Sequence, residues 1–286
     1  MIFKHCYQII SSSPNVTVVH DKVVSIQQDV AGVRVLTDGG EYKGEYTFNS
    51  ILFEDPLKQK NAHHLLQHFK GWVIETEEDM FDEDACTLMD FRVSQDHGTT
   101  FVYVMPLTRR KALVEYTLFT EQLLNDDQYL NGLKKYIKEY LKDVKYKVEE
   151  EEFGIIPMTS AKFKRVEGNI MFIGTAGGQT KASSGFTFMF IQKQSGMIVE
   201  QLKKTGKPVC HPTKMDQRYH WFDKVLLNVL IKKRVAGDVV FKKMFQKNPI
   251  QRIFRFLDNE SNVGEELRLI STLPTIPFLQ AGLEEI

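Results

Sequence analysis

Cysteine is scarce in this 286-residue chain: Cys6, Cys86 and Cys210 are widely spaced and odd in number. That excludes a disulfide framework and a cysteine-based metal cluster, and it fits a reducing compartment. Excess charge of either sign is also missing. The 37 Lys and Arg balance 37 Asp and Glu, so no global field argues for nucleic acid or an acidic partner. No apolar run approaches the roughly 20 residues of a membrane-spanning helix. The N-terminus lacks the basic region, apolar core and cleavage site of a secretory signal, which makes a cytoplasmic location the expectation. Internal repeats and low-complexity tracts are absent too. With a hydrophobic content of 42%, the length suffices for one large or two modest domains.

Against these absences, one segment is rich in glycine. An apolar run, residues 170–173, leads into Gly174, Thr175, Ala176, Gly177 and Gly178, then Ser184, Gly185 and Phe186, and a helical pattern follows over 188–204. Strand, glycine-rich turn and helix is an arrangement that can point backbone N–H groups and a helix N-terminus at an anion. An ordinary strand-to-helix loop, with Ser183 and Ser184 as capping residues, accounts for the same residues.

Around this turn the pattern is nested. A short helix and strands at 16–19, 23–26, 33–36 and 46–53 come first, with Asp38, Gly39 and Gly40 as a turn. Strands at 68–76, 87–93, 100–105 and 112–118 follow at the spacing of an antiparallel sheet. A helix over 120–144 comes next, marked by apolar residues three and four apart. Glu149 to Glu152 reads as a solvated turn or edge. Helical patterns at 220–234, 238–247 and 250–257 and a shorter tail with Pro274 and Pro277 close the chain. The order predicts a mixed α/β fold in which one domain interrupts another.

Four stretches of the central block carry a more specific signal: residues 65–75, with His68, Phe69 and Trp72; 88–92, Leu-Met-Asp-Phe-Arg; 101–107; and 113–117, Leu-Val-Glu-Tyr-Thr. In this order, and with the turn at 174–177, they resemble the flavoprotein lycopene cyclases of carotenoid biosynthesis over essentially the whole chain. The resemblance implies an FAD-binding fold with residues 1–56 and 151–212 in the FAD-binding domain. An antiparallel-sheet substrate domain is expected over 57–150 and a helical tail over 213–286. Such folds open with a βαβ unit carrying G-x-G-x-x-G. Residues 1–53 have no such motif, so an N-terminally truncated form is expected.

The implied reaction is a non-redox cyclisation. A proton is delivered to a terminal double bond of a linear carotene, the cation closes a ring, and a neighbouring proton leaves. An alkene is a weak base, so the donor must be a carboxyl kept protonated by apolar surroundings. Glu115 fits. Strand alternation puts it on one face with Leu113, Thr117 and Phe119, while Val114, Tyr116 and Leu118 take the other. A dry apolar tunnel beside the flavin is the expected setting. Tyr116 occupies the place where many family members carry a second acid. Asp90 is a further catalytic candidate, and Arg92, Trp72 and Tyr116 are candidates for the substrate site. A structural ion pair accounts equally for Asp90 and Arg92, and core packing for Trp72.

The resemblance places reduced FAD at Gly174, Thr175, Ala176, Gly177, Gly178, Ser184, Gly185 and Phe186; NADPH is a candidate reductant, which the sequence leaves open. Thr180 and Lys181 replace the His-Pro expected in the turn. A lipid-soluble substrate requires docking on a membrane, and the mixed apolar and basic helices at 225–234 and 241–247 are candidates for peripheral contact; a helical subdomain covering the sheet, with a solvated basic face, accounts for them equally. A related FAD monooxygenase or prenyl reductase, or a cofactor-less lipid-binding homologue, would share parts of this pattern.

Overall fold

A computed structural model describes residues 2–142, 144–208 and 214–286; Cys210 lies outside the described residues. Helix α1 (Ile2–Ser12) precedes an antiparallel sheet of β1 (Val23–Asp29), β2 (Gly32–Thr37) and β3 (Glu41–Gly44). The strand expected at 16–19 does not form. Val16, Val18 and Val19 are exposed with no ladder partner, so β-branched composition alone does not make a strand there. Of the strand expected at 46–53, only β4 (Thr47–Asn49) is paired.

The chain then leaves β4, builds a five-stranded antiparallel sheet, and returns. That sheet has the order β6 (Thr87–Asp90), β7 (Thr99–Thr108), β8 (Lys111–Thr120), β5 (His64–Thr76), β9 (Tyr146–Thr159). On its return the chain forms β10 (Val166–Glu167) and β11 (Ile170–Phe172), and β11 pairs parallel to β4. The five-stranded insertion thus sits between two strands that are neighbours in space.

Each face of the large sheet has its own core. On one, Trp72, Ile74, Val102, Val104, Val114, Tyr116 and Leu118 pack against helix α2 (Asp126–Tyr140). The apolar stripe of α2 is Tyr129, Leu133, Tyr136 and Ile137, at helical spacing. The helix is shorter than the expected 120–144, because Asn125 and Gln128 form a capping box that fixes its start. Thr120 belongs to the end of β8.

On the other face, Leu65, Phe101, Tyr103, Phe119 and Met158 pack against α4 (Lys214–Ile231) and α5 (Gly237–Lys247). Of the two readings of these helices, covering the sheet is the one their apolar residues follow: Val225, Leu227, Val229, Phe241 and Met244 are buried in this core. Helices α3 (Phe188–Thr205) and α6 (Ile250–Leu257) follow the sequence pattern closely. Two helices that the pattern did not indicate, α7 (Val263–Ile270) and α8 (Thr275–Glu284), complete the tail. They carry the exposed Leu267, Ile276, Leu279 and Leu283, and Ile286 follows them at the chain end.

Candidate active site

Glu115 lies at the centre of β8, opposite Gly71 of β5 and Tyr103 of β7. Its face is the one covered by α4 and α5, as strand alternation requires for a residue two positions from Thr117 and four from the core residue Phe119. The carboxyl is half-buried, not sealed. Toward Phe119 the face is closed, whereas toward the other end Met105 is exposed, so Glu115 sits at the rim of the covered region.

Thr117 donates its hydroxyl to Glu115 Oε1 at 2.7 Å. The Glu115 pKa is nonetheless pushed up to about 7, chiefly by burial; the Thr117 hydrogen bond opposes the rise, and the Glu152 carboxyl reinforces it. Glu152 belongs to β9, where it too is opposite Gly71. The expected edge position of the acidic run is correct, since β9 is the outer strand. Glu152, however, turns across the sheet toward Glu115.

The glycine loop approaches this same face. Residues Gly174–Gly177 form a single 3-10 turn closed by Gly178 in the left-handed region. Farther on, Gly185 has φ +71°, and a Cβ there would fall 2.0 Å from Gln67 Oε1. Gln67 pairs with Phe119 in register, and its side chain emerges on the Glu115 face. From Phe119 to Glu115 is four residues of strand, about 13 Å at the usual rise. The loop and the carboxyl therefore lie on one side of one sheet.

The loop's amides are used differently from the expectation. Gly177 N–H donates to Ile173, Gly178 to Thr175, and both Ser184 and Gly185 to Lys181, so these four amides are satisfied within the segment. Neither serine caps α3, which starts after Thr187. Ser183 donates to Asp223 at 2.6 Å. Ser184 Oγ and Gln67 Oε1 are buried polar atoms with no hydrogen-bond partner, at the junction of loop and sheet. Phe186 packs against the core beneath the loop, and Thr175 and Ala176 lie within the 3-10 turn.

The other sequence candidates are on the far side of the sheet. Asp90 is buried there, accepting hydrogen bonds from Tyr136 at 2.8 Å and from Arg92. Burial pushes its pKa up, but the bonds from Arg92 and Tyr136 outweigh that and hold it below the ordinary value. Arg92 lies beyond the end of β6 and over the Tyr140 ring, with its centroid 4.4 Å away. Trp72 and Tyr116 are core residues against α2. His68 is also on that side, fully buried between Tyr129 and Thr120, and burial lowers its pKa to about 4. The structure thus brings Glu115 to the glycine loop's side and leaves Asp90, Arg92, Trp72 and Tyr116 opposite.

Sequence reasoning passed over Glu152, Gln67 and the Lys181–Asp223 ion pair. A weak signal existed for the first: in an extended chain Glu150 and Glu152 share a face, so the acidic run need not all face water. Among the described residues, no group of three or more His, Cys, Asp or Glu could hold a metal ion, and no helix is long and apolar enough to cross a membrane.

Known proteins place this geometry in context. A "geranylgeranyl bacteriochlorophyll reductase-like" protein of Thermoplasma acidophilum superposes on 100% of this chain and 74% of its own, with TM-score 0.63 and 12% identity. The mixed α/β fold is shared with that protein. An HpxO variant of Klebsiella pneumoniae complexed with FAD matches 89% of this chain and 68% of its own at TM-score 0.46 and 14% identity. In sequence, a "Lycopene beta-cyclase" of Pseudescherichia vulneris is 23% identical over 212 residues, which is 68% of this chain. The match spans 53% of that relative, so the chain covers about half its length. The family described as "Lycopene cyclase protein" matches residues 7–283, nearly the full length, and the chain belongs to the lycopene cyclase family.

Proposed function

We propose that the chain carries the acid half of a lycopene cyclase-type reaction: Glu115 protonates the terminal double bond of a linear carotene and so starts a ring closure without net redox change. The observation that carries this reading is the half-buried Glu115 carboxyl on the same sheet face as the glycine loop, with a pKa of about 7. A carboxyl at its ordinary value would be ionised near neutral pH and could not donate. Thr117 fixes Oε1, which leaves the other oxygen to present a proton. Phe101, Phe119 and Tyr103 line the same face and provide the apolar, polarisable surroundings in which a cation can form.

The cofactor expected of the family is FAD, with NADPH as its source of electrons. Two features of this chain fit such a group. Ser184 Oγ and Gln67 Oε1 are an unpaired hydroxyl and an unpaired carbonyl at the loop–sheet junction, suited to a ligand with both acceptors and donors. Thr175 and Ala176, in the 3-10 turn, would complete its binding. Reduced FAD, when bound, supplies electrostatic stabilisation for positive charge developing nearby.

Delivery of a lipid-soluble substrate requires a surface that meets a bilayer. The exposed Leu267, Ile276, Leu279 and Leu283 on α7 and α8, with Ile286 after them, suit that role better than the buried faces of α4 and α5. A cavity of about 340 Å³ with mostly apolar walls, including Trp221, Phe241 and Phe278, opens beside α8.

A second reading is a cofactor-less lipid-binding homologue. The four loop amides satisfied within their own segment favour it. One experiment separates the two. The purified chain is incubated with lycopene-loaded vesicles, FAD and NADPH, and the product is read by chromatography alongside the flavin absorption spectrum. Cyclised product that disappears in Glu115→Gln, with flavin still bound, supports the acid role. Product formation unchanged by Glu115→Gln rejects it, and lycopene uptake without a flavin spectrum favours the second reading.

A further inference from the structure

Gly71 is opposite Glu115 on one side and Glu152 on the other, so three residues stand in a row across β8, β5 and β9 with their side chains on one face. Neighbouring strands are about 4.8 Å apart, which puts the outer two backbones about 10 Å apart, a span that two glutamate side chains bridge only by leaning inward. The middle position has no side chain, and Glu152 fills the space. A Cβ on Gly71 would fall 2.8 Å from both Cγ and Oε1 of Glu152 and 3.1 Å from Leu113 Cδ1. Glu152 is exposed at the sheet edge, whereas Glu115 is half-buried.

The groups that bear on Glu115 are few in kind. Thr117 contributes a hydroxyl from its own strand, Tyr103 a phenol from β7, and Glu152 a carboxyl from β9. Burial, together with the charge of Glu115, holds the Tyr103 phenol above its ordinary value, so it remains neutral. Two carboxyls brought together without a cation between them share their titration, and the first proton to leave makes the second harder to remove.

We propose that Glu115 and Glu152 act as one acid, a carboxyl pair that holds a single proton across Gly71, with Glu152 taking protons from water and Glu115 presenting them to the substrate. The proposal rests on the reading of Glu115 as proton donor and adds a positioning residue to it. In each turnover the Glu115 O–H bond breaks and a C–H bond forms from the electrons of the terminal double bond. A second double bond attacks the cation and closes the ring. The C–H bond beside the new cation then breaks, its electron pair forms the ring double bond, and its proton leaves to water. The pair is then doubly ionised. Water protonates Glu152, and the proton passes to Glu115, which restores the starting state with no net change in protons or electrons.

The test requires no substrate. The whole chain is labelled with carbon-13 at the glutamate carboxyls and titrated by NMR, with the Glu115 signal assigned by its loss in Glu115→Gln. The expected wild-type midpoint is near 7. In Glu152→Gln it should fall by about one pH unit or more, a tenfold loss of proton affinity. Gly71→Ala should lower it as well while every charge is kept, because the new methyl displaces the Glu152 side chain. A Glu115 midpoint that Glu152→Gln leaves unmoved overturns the pair, whether or not Gly71→Ala folds. In the vesicle assay, the high-pH limb of cyclisation should shift down in Glu152→Gln by the same amount. Coupled titration without any cyclised product refutes the enzymatic reading and leaves the pair standing. Cyclised product with independent titrations refutes the pair alone.

Discussion

The Lys181 ammonium lies 2.8 Å from the Asp223 carboxylate, and the lysine side chain is wholly inaccessible to water. This pair joins the glycine loop to α4. Asn259 accepts a second hydrogen bond from the ammonium at 2.9 Å, and Ser183 donates to the same aspartate. The loop of this chain is thus held to α4 by charge.

Removing one partner of that pair leaves the other buried and unpaired. Lys181→Met should cost about 3–5 kcal/mol of stability, whereas Lys181→Met combined with Asp223→Leu should cost distinctly less. Urea unfolding of the two variants checks the order. Equal losses would show that the ion pair is not what couples the loop to the helix.

The Glu115 carboxyl makes stability depend on pH with a definite sign. Its pKa is about 7 in the folded chain and 4.5 as a free side chain. Between those values the folded state keeps a proton that the unfolded state releases, so stability falls as pH rises through this window and stays low above it. Glu115→Gln removes the titration. Relative to wild type, the variant should melt at a higher temperature at about pH 8 than it does at about pH 4.5. Thermal melts followed by circular dichroism at both pH values test this, and parallel curves for the two proteins would contradict it.

Tyr116 illustrates why part of the site was legible in the sequence and part was not. Period-2 alternation in β8 sufficed to separate it from Glu115, because facing is a local property of an extended chain. What each face meets is not local. The acid partner of Glu115 comes from β9, joined to β8 through α2, and nothing in the Glu149 to Glu152 run reveals that a glycine on β5 leaves room between them. Strand 16–19 failed for the same reason in reverse: its residues suit a strand, but no neighbour pairs with them. The tail helices were readable where the apolar stripe is regular, as in eight-residue α6 with Ile250, Ile253, Phe254 and Leu257, whereas Pro274 and Pro277, before and inside α8, masked its helical pattern.

The packing of Tyr116 gives a separate test. A Cβ on Gly132 of α2 would lie 2.6–2.8 Å from three atoms of the Tyr116 ring, which is buried and cannot swing aside. Gly132→Ala gains about 1 kcal/mol of helix propensity. The overlap with the ring should outweigh that gain and leave a net loss on the order of 1–2 kcal/mol. Adding Tyr116→Leu should restore part of the loss. A Gly132→Ala variant more stable than wild type would mean that the helix can slide away from the sheet.

Asp90 separates a structural from a chemical role most directly. It lies on the α2 side of the sheet, where Tyr136 and Arg92 both donate to it, and these bonds hold its pKa below the ordinary 3.8. The stabilisation is present above that value and is lost as pH falls through the folded pKa, so the wild type should weaken in strong acid. Asp90→Asn keeps the shape but exchanges an ionised acceptor for a neutral amide that cannot satisfy both donors. A loss of about 1–3 kcal/mol is expected near neutral pH, with a flatter acid limb. Urea titrations at neutral and acid pH measure both effects. Product yield per folded molecule then decides the role: a yield that survives Asp90→Asn but not Glu115→Gln assigns chemistry to the loop side alone. A folded Asp90→Asn protein that makes no product would instead bring the α2 side of the sheet into the reaction.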